Sequence, residues 1–132
     1  MCFMQNSIFI PINTPSSKNG NTWTGKFLVG SKVTQAYKRN THLLWELNRN
    51  KFLEMIKDKP KPYFIGMYFI RDSKRKFDFQ NACQLPFDLM QKYGWLENDD
   101  SSSVVPVFLG YHVDKSSCGV QITVLKNVTY EY

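Results

Sequence analysis

The run Tyr63–Ile70, YFIGMYFI, constrains this chain more than any other stretch. It has the length of a strand, is rich in aromatic and β-branched residues, and shows no polar face. Such a run predicts a central strand rather than an edge one, covered on both faces. Pro60 and Pro62 in KDKPKP end any helix before it, because proline cannot continue a helical hydrogen-bond ladder. Directly after it the chain turns basic, with Arg71, Lys74, Arg75 and Lys76. At 132 residues the length suits one domain over 1–132. A chain of this size can bury roughly 65–70% of its unfolded surface. Its 42% hydrophobic and 15% aromatic content argues against disorder.

Before the central run, Ser7–Ile12 (SIFIPI) reads as a first strand, and Pro11 places it at an edge or marks its end. NTPSSKNGNTWTG follows as a loop carrying Lys18, Asn19 and Trp23. A cation beside an aromatic can hold a DNA backbone or stack on a base, and the same residues suit an ordinary surface loop. Lys26–Val29 predicts a short strand, its hairpin turning on Asn19-Gly20 or Thr24-Gly25. Ser31 is a candidate N-cap. From Val33 to about Ile56, the apolar residues Val33, Ala36, Tyr37, Leu44, Leu47 and Ile56 recur near helical spacing. That is long for one helix, so a bend is expected near Asn48–Asn50. Lys32, Lys38, Arg39, Arg49, Lys51 and Lys57 take other faces, either solvated or on phosphate.

After the basic run, Asp78 can cap a second helix. Phe79, Cys83, Pro86, Phe87 and Met90 fall near one face, while Asp78, Asn81, Gln84, Asp88 and Gln91 step by three or four along another. Pro86 predicts a kink or a late start, and Gly94 a stop. Glu97–Ser103 is an acidic, serine-rich turn. Val104–Val113 and Gly119–Leu125 read as the last strands, with Asp114–Cys118 as the hairpin loop joining them. The expected class is α+β: a single domain with a mixed four- to five-stranded sheet packed against two main helices.

The net charge of +6 and the pI near 9.3 suit an anionic partner, nucleic acid or a membrane surface, or serve solubility alone. No run reaches the roughly 18 apolar residues of a membrane span. The N-terminus lacks the basic and long apolar regions of a signal peptide, so a cytoplasmic location is expected. Cys2, Cys83 and Cys118, with His42 and His112, have neither disulfide-framework nor zinc spacing. Neither histidine has a partner pattern that suggests a general base, and Ser101–Ser103 lacks the paired base a nucleophile needs. Trp23, Trp45 and Trp95 read first as core or interface residues.

Acids are concentrated in this basic chain: Asp72, Asp78, Asp88, Glu97, Asp99 and Asp100 are six of its eleven. Carboxylates after a strand, joined by acids from a distant turn, form the oxygen-rich set that magnesium prefers. Asn81 and Gln84 can orient ligands or waters. The plainer alternative is Asp78 as a helix cap and Glu97–Asp100 as a solvated turn.

RKFDFQNACQLPFDLMQKYGWLENDD, followed by two strands, resembles the core of the RusA-like endodeoxyribonucleases, the phage-type Holliday junction resolvases. That family shows a basic run, an Asp-x-Asp-Asn-x-x-Lys motif, an F/L-D-x-L segment and an Asp-Asp pair before a strand. Asp78 matches the first aspartate and Asn81 the asparagine. Phe87-Asp88-Leu89-Met90 match the mid-helix segment, and Gly94-Trp95-Leu96 with Asp99-Asp100 match the end. TPSSKNG and the helix opening at Ser31–Tyr37 extend the likeness over roughly residues 8–125. Gln80 stands where the family has its second aspartate, and Gln84 where it has lysine. The resemblance implies a homodimer that nicks four-way DNA junctions symmetrically in DNA recombination and repair, with magnesium. On this reading Asp78, Asp99 and Asp100 are metal ligands, Asp88, two to three turns along from Asp78, joins them in place of the carboxylate absent at Gln80, and Asp78, Asp88 and Asp100 are catalytic. Asn81 and Gln84 would orient phosphate or water, and Lys18, Lys74, Arg75 and Lys76 would grip DNA. The two glutamines frame the alternative, a catalytically weak or inactive junction-binding protein.

Overall fold

The computed structural model describes residues 7–16, 21–23, 28–30, 32–97 and 102–126. In chain order these form β1 (Ser7–Pro11), β2 (Asn21–Trp23), β3 (Leu28–Gly30), α1 (Lys32–Leu47), α2 (Arg49–Ile56), β4 (Tyr63–Arg71), α3 (Phe79–Lys92), β5 (Val104–Val113), a 3-10 turn (Lys115–Ser117) and β6 (Gly119–Leu125). The fold is α+β, with a mixed four-stranded sheet in the order β1-β6-β4-β5. β1 and β6 pair antiparallel, as do β6 and β4, whereas β4 and β5 run parallel. The apolar run thus lies inside the sheet and Pro11 on its edge. β2 and β3 pair separately, Trp23 opposite Leu28. Ser31 and both turn candidates, Asn19-Gly20 and Thr24-Gly25, lie outside the described residues.

β5 and β6 do not form the expected hairpin, because β4 stands between them. A strand laid parallel to β4 must be reached by a crossover, which α3 supplies. The chain then passes from β5 through the 3-10 turn to the far side of β4. The DKSSC spacing that suited a hairpin loop instead spans one strand.

The expected bend is present. α1 ends at Leu47 and α2 begins at Arg49, with Asn48 between them at φ −91°, ψ 0°. Its side-chain amide donates to the Leu44 carbonyl at 2.8 Å, competing with the helical ladder. The buried stripe runs Tyr37, Thr41, Trp45 and then Phe52. Val33 and Leu47 are exposed rather than core residues. Leu47 lies about 200° around the helix from Trp45. Trp95 seals the far end of the core: it stacks on Phe52 at 5.0 Å, and its indole N–H donates to the Trp45 carbonyl at 2.7 Å.

α3 starts at Phe79, not late, and continues through Pro86. It stops as Gly94 predicts. Gly94 has φ +82°, its N–H donates to Gln91 O at 3.2 Å, and Trp95 N–H donates to Met90 O at 2.8 Å. This is the paired bonding of a Schellman C-cap, in which the left-handed residue is best a glycine.

One face of the sheet carries the core. Ile65, Met67 and Phe69 of β4, Val120, Ile122 and Val124 of β6, and Ile8 and Ile10 of β1 are buried with the helices. On the other face Phe64, Tyr68 and Ile70 are only half-buried, so β4 is not sealed on both sides as its composition suggested. Among the described residues no helix is long and apolar enough to cross a membrane.

Candidate nucleic-acid interface

Arg71 is the last residue of β4 and falls on the row that faces the core, so its side chain is buried. Its guanidinium donates to the Thr14 carbonyl at 2.5 Å and to Ser16 Oγ at 3.3 Å, and lies 4.5 Å from the centre of the Phe77 ring. Burial pulls its pKa down, opposed by the neighbouring Asp72 carboxylate; a guanidinium remains protonated regardless. Next to it, the Asp72 N–H donates to Asn13 Oδ1 at 3.0 Å. These bonds tie the loop after β1 to the start of the basic run, across more than fifty residues of sequence. Ile12, where the chain leaves β1, has φ +80°, a conformation costly for a β-branched residue. Its N–H is held by the Cys118 carbonyl at 3.0 Å.

The joined segments enclose a cleft of about 590 Å³, lined by Asn13, Ser16, Arg71, Asp72, Arg75 and Lys76 among others. Three cations face one carboxylate there, which favours an anion such as a phosphodiester. Lys74, Arg75 and Lys76 are exposed, and among the described residues the ion pair is elsewhere, between Lys61 and Glu97 at 4.0 Å. Arg71 therefore serves differently from the other basic residues of the run: it holds the cleft together while they point to solvent. Nothing in the spacing of the run distinguished it.

Asp78 follows this cleft. It is exposed, lies in an extended conformation (φ −101°, ψ 124°), and accepts the Gln80 N–H at 2.9 Å as the N-cap of α3. The cap reading is thus realised, and it occupies one carboxylate oxygen. Along α3, Gln80, Gln84, Asp88 and Gln91 are exposed, whereas Asn81 is half-buried. The polar side of α3 thus carries Gln84, Asp88 and Gln91 exposed, with Asn81 half-buried at its margin and Gln80 exposed beside it. Asp78 and Asp88 stand ten residues apart along it, a rise of roughly 15 Å. Magnesium sits roughly 2.0–2.1 Å from each oxygen ligand. One ion therefore cannot join Asp78 to Asp88 within a chain, and Asp88 does not replace the carboxylate absent at Gln80. Asp99, Asp100 and Lys18 lie outside the described residues. Among the described residues no three acidic, histidine or cysteine side chains converge as a metal set.

Two features had no signal in the sequence. The parallel register of β4 and β5 shifts between Met67 and Tyr68, leaving Leu109 as a bulge. Phe108 and Tyr111, three residues apart, consequently share the helix-side face and meet Phe77 and Phe79. Strict alternation would have put them on opposite faces. The same pairing brings the Tyr68 hydroxyl to 2.7 Å from His112 Nδ1, a partner that sequence spacing did not supply.

The fold and this site define a small α+β protein whose basic cleft suits an anionic ligand. No family model and no curated protein matches the chain.

Proposed function

We propose that this protein is a RusA-like, magnesium-dependent endodeoxyribonuclease that binds and nicks branched DNA. The observation that carries this reading is the cleft of about 590 Å³ lined by Arg71, Arg75 and Lys76, with Asp78 following directly at the head of α3. The basic side chains would hold the backbone of a DNA arm, setting position rather than sequence. Asp78 fits part of a metal site: it is exposed, and one oxygen is free of the cap bond to Gln80. The described residues do not complete the site, so Asp78 with Asp99 and Asp100 is the set assigned to magnesium. When bound there, the ion would supply the positive charge that steadies the phosphoryl oxygens. Asn81, half-buried one turn on from Asp78, and the exposed Gln84 would orient phosphate or water. Two equal cuts require two sites related by a two-fold axis, hence a homodimer. Cys83 and Cys118 are both free thiols, which suits a reducing compartment such as the cytoplasm.

A second reading, a junction binder without catalysis, is favoured by one feature: Gln80 and Gln84 stand exposed on α3 where an acid and a lysine would serve the chemistry. A synthetic four-way junction separates the two. Paired nicks in magnesium, lost in Asp78→Asn and Asp100→Asn with binding retained, are the expected result. Tight junction binding without nicks in magnesium or manganese would refute catalysis. Equal affinity for linear duplex and junction would refute the branched substrate.

A further inference from the structure

We propose that the aromatic cleft formed by Phe77, Phe79, Phe108 and Tyr111, with Lys76 at its rim, takes a nucleobase unpaired in branched or single-stranded DNA. This rests on the DNA-binding reading above, and it names what part of the substrate is held. The cleft measures about 290 Å³ and is lined by these four rings and Lys76. Phe77 and Phe79 are half-buried and cover Phe69, at 5.7 and 6.0 Å between ring centres, so core packing accounts for them. Phe108 and Tyr111 are different: they are 45% and 53% exposed, on the edge strand β5. Edge strands more commonly carry charges or proline at such positions.

The bulge at Leu109 puts both rings on one face. Their centres are 6.5 Å apart and their planes within 30°. Phe77 lies 5.0 Å from Tyr111 and 6.4 Å from Phe108 between ring centres, so the three rings together offer an aromatic surface on which a base can stack. Charge complements shape, because Lys76 lines both this cleft and the basic one beside Arg71. A strand whose phosphates lie along Arg75 and Lys76 would present its next base at Phe108 and Tyr111. Stacking of this kind tolerates any base, since each has an aromatic face.

The test measures binding by fluorescence anisotropy in EDTA, so it is independent of nicking. The probes are a labelled thymine strand and an abasic strand of equal length and charge. Phe108→Ala and Tyr111→Ala should each weaken the thymine strand roughly tenfold and leave the abasic strand unchanged. Tyr111→Phe should bind as the parent does. Lys76→Gln should weaken both strands and flatten the salt dependence. Should Phe108→Ala fail to fold, Phe108→Leu keeps the apolar bulk without the flat ring and should show the same selective loss. Equal losses on both strands, no loss on either, or no binding of the thymine strand by the parent would overturn the proposal. So would a change of oligomeric state in Phe108→Ala at unaltered strand affinity, which would mark the cleft as an interface between copies. Each of these results leaves the magnesium nicking of junctions to be judged by its own assay.

Discussion

Replacing Asp78 separates its helix-capping role from any role in chemistry. Its carboxylate accepts the Gln80 N–H at 2.9 Å from an extended N-cap conformation, and the first turn of α3 holds no acidic residue to take over the charge interaction with the helix dipole. Loss of an aspartate cap to alanine costs about 1 kcal/mol. The lost charge at the helix N-terminus adds roughly 0.3–1 kcal/mol. For a chain of 132 residues, each kcal/mol lowers the melting temperature by roughly 3–5 °C. Asp78→Ala should therefore melt about 4–10 °C below the parent. Asp78→Asn keeps a good cap and loses only the charge term, so it should melt no more than about 1–5 °C lower. The assay is thermal unfolding by circular dichroism, paired with junction nicking at 25 °C on the same preparations. If the carboxylate also serves magnesium, both variants lose nicking equally despite their different stabilities. If it is only a cap, both nick as the parent does at 25 °C. An Asp78→Ala protein that melts with the parent would refute the capping argument itself.

Arg71→Met should lower stability by about 2–4 kcal/mol in urea unfolding, because it removes charged hydrogen bonds to Thr14 and Ser16 and the contact with Phe77. Arg71→Lys should recover only part of this, since an ammonium cannot present the same planar fork. Replacing Lys74, Arg75 and Lys76 together by alanine should reduce the slope of log affinity against log salt by roughly 2–3 on duplex arms, and an unchanged slope would place DNA elsewhere. The buried Cys83 thiol is pushed up to about 11 by desolvation. A protonation site raised on folding stabilises the protein below its unfolded pKa, and that contribution is lost as pH rises through the folded value. The parent should therefore lose stability between about pH 9 and 11. Cys83→Ala should be less sensitive over the same window, measured by urea unfolding as a function of pH.

The sequence by itself determined what depends on near neighbours along the chain. Tyr63–Ile70 reads as an inner strand, and the length of the helical pattern after Val33 calls for a bend near Asn48–Asn50. Asp78 and Gly94 could open and close α3, because caps, left-handed glycine and helical period act over a few residues. Even the separation of Asp78 from Asp88 follows from the helical rise, once α3 is known to begin at Phe79 and run unbroken through Pro86. Tertiary structure decided what depends on pairing across the chain. It placed β4 between β5 and β6, so the expected hairpin is absent. It turned Arg71 inward onto the loop of Thr14 and Ser16, while Lys74, Arg75 and Lys76 stayed outside. It also used one bulge to bring Phe108 and Tyr111 to the same face. A bulge moves every following residue of a strand to the other side of the sheet, and its position depends on how β5 meets β4. That fit is made between residues some forty positions apart, beyond the reach of local pattern.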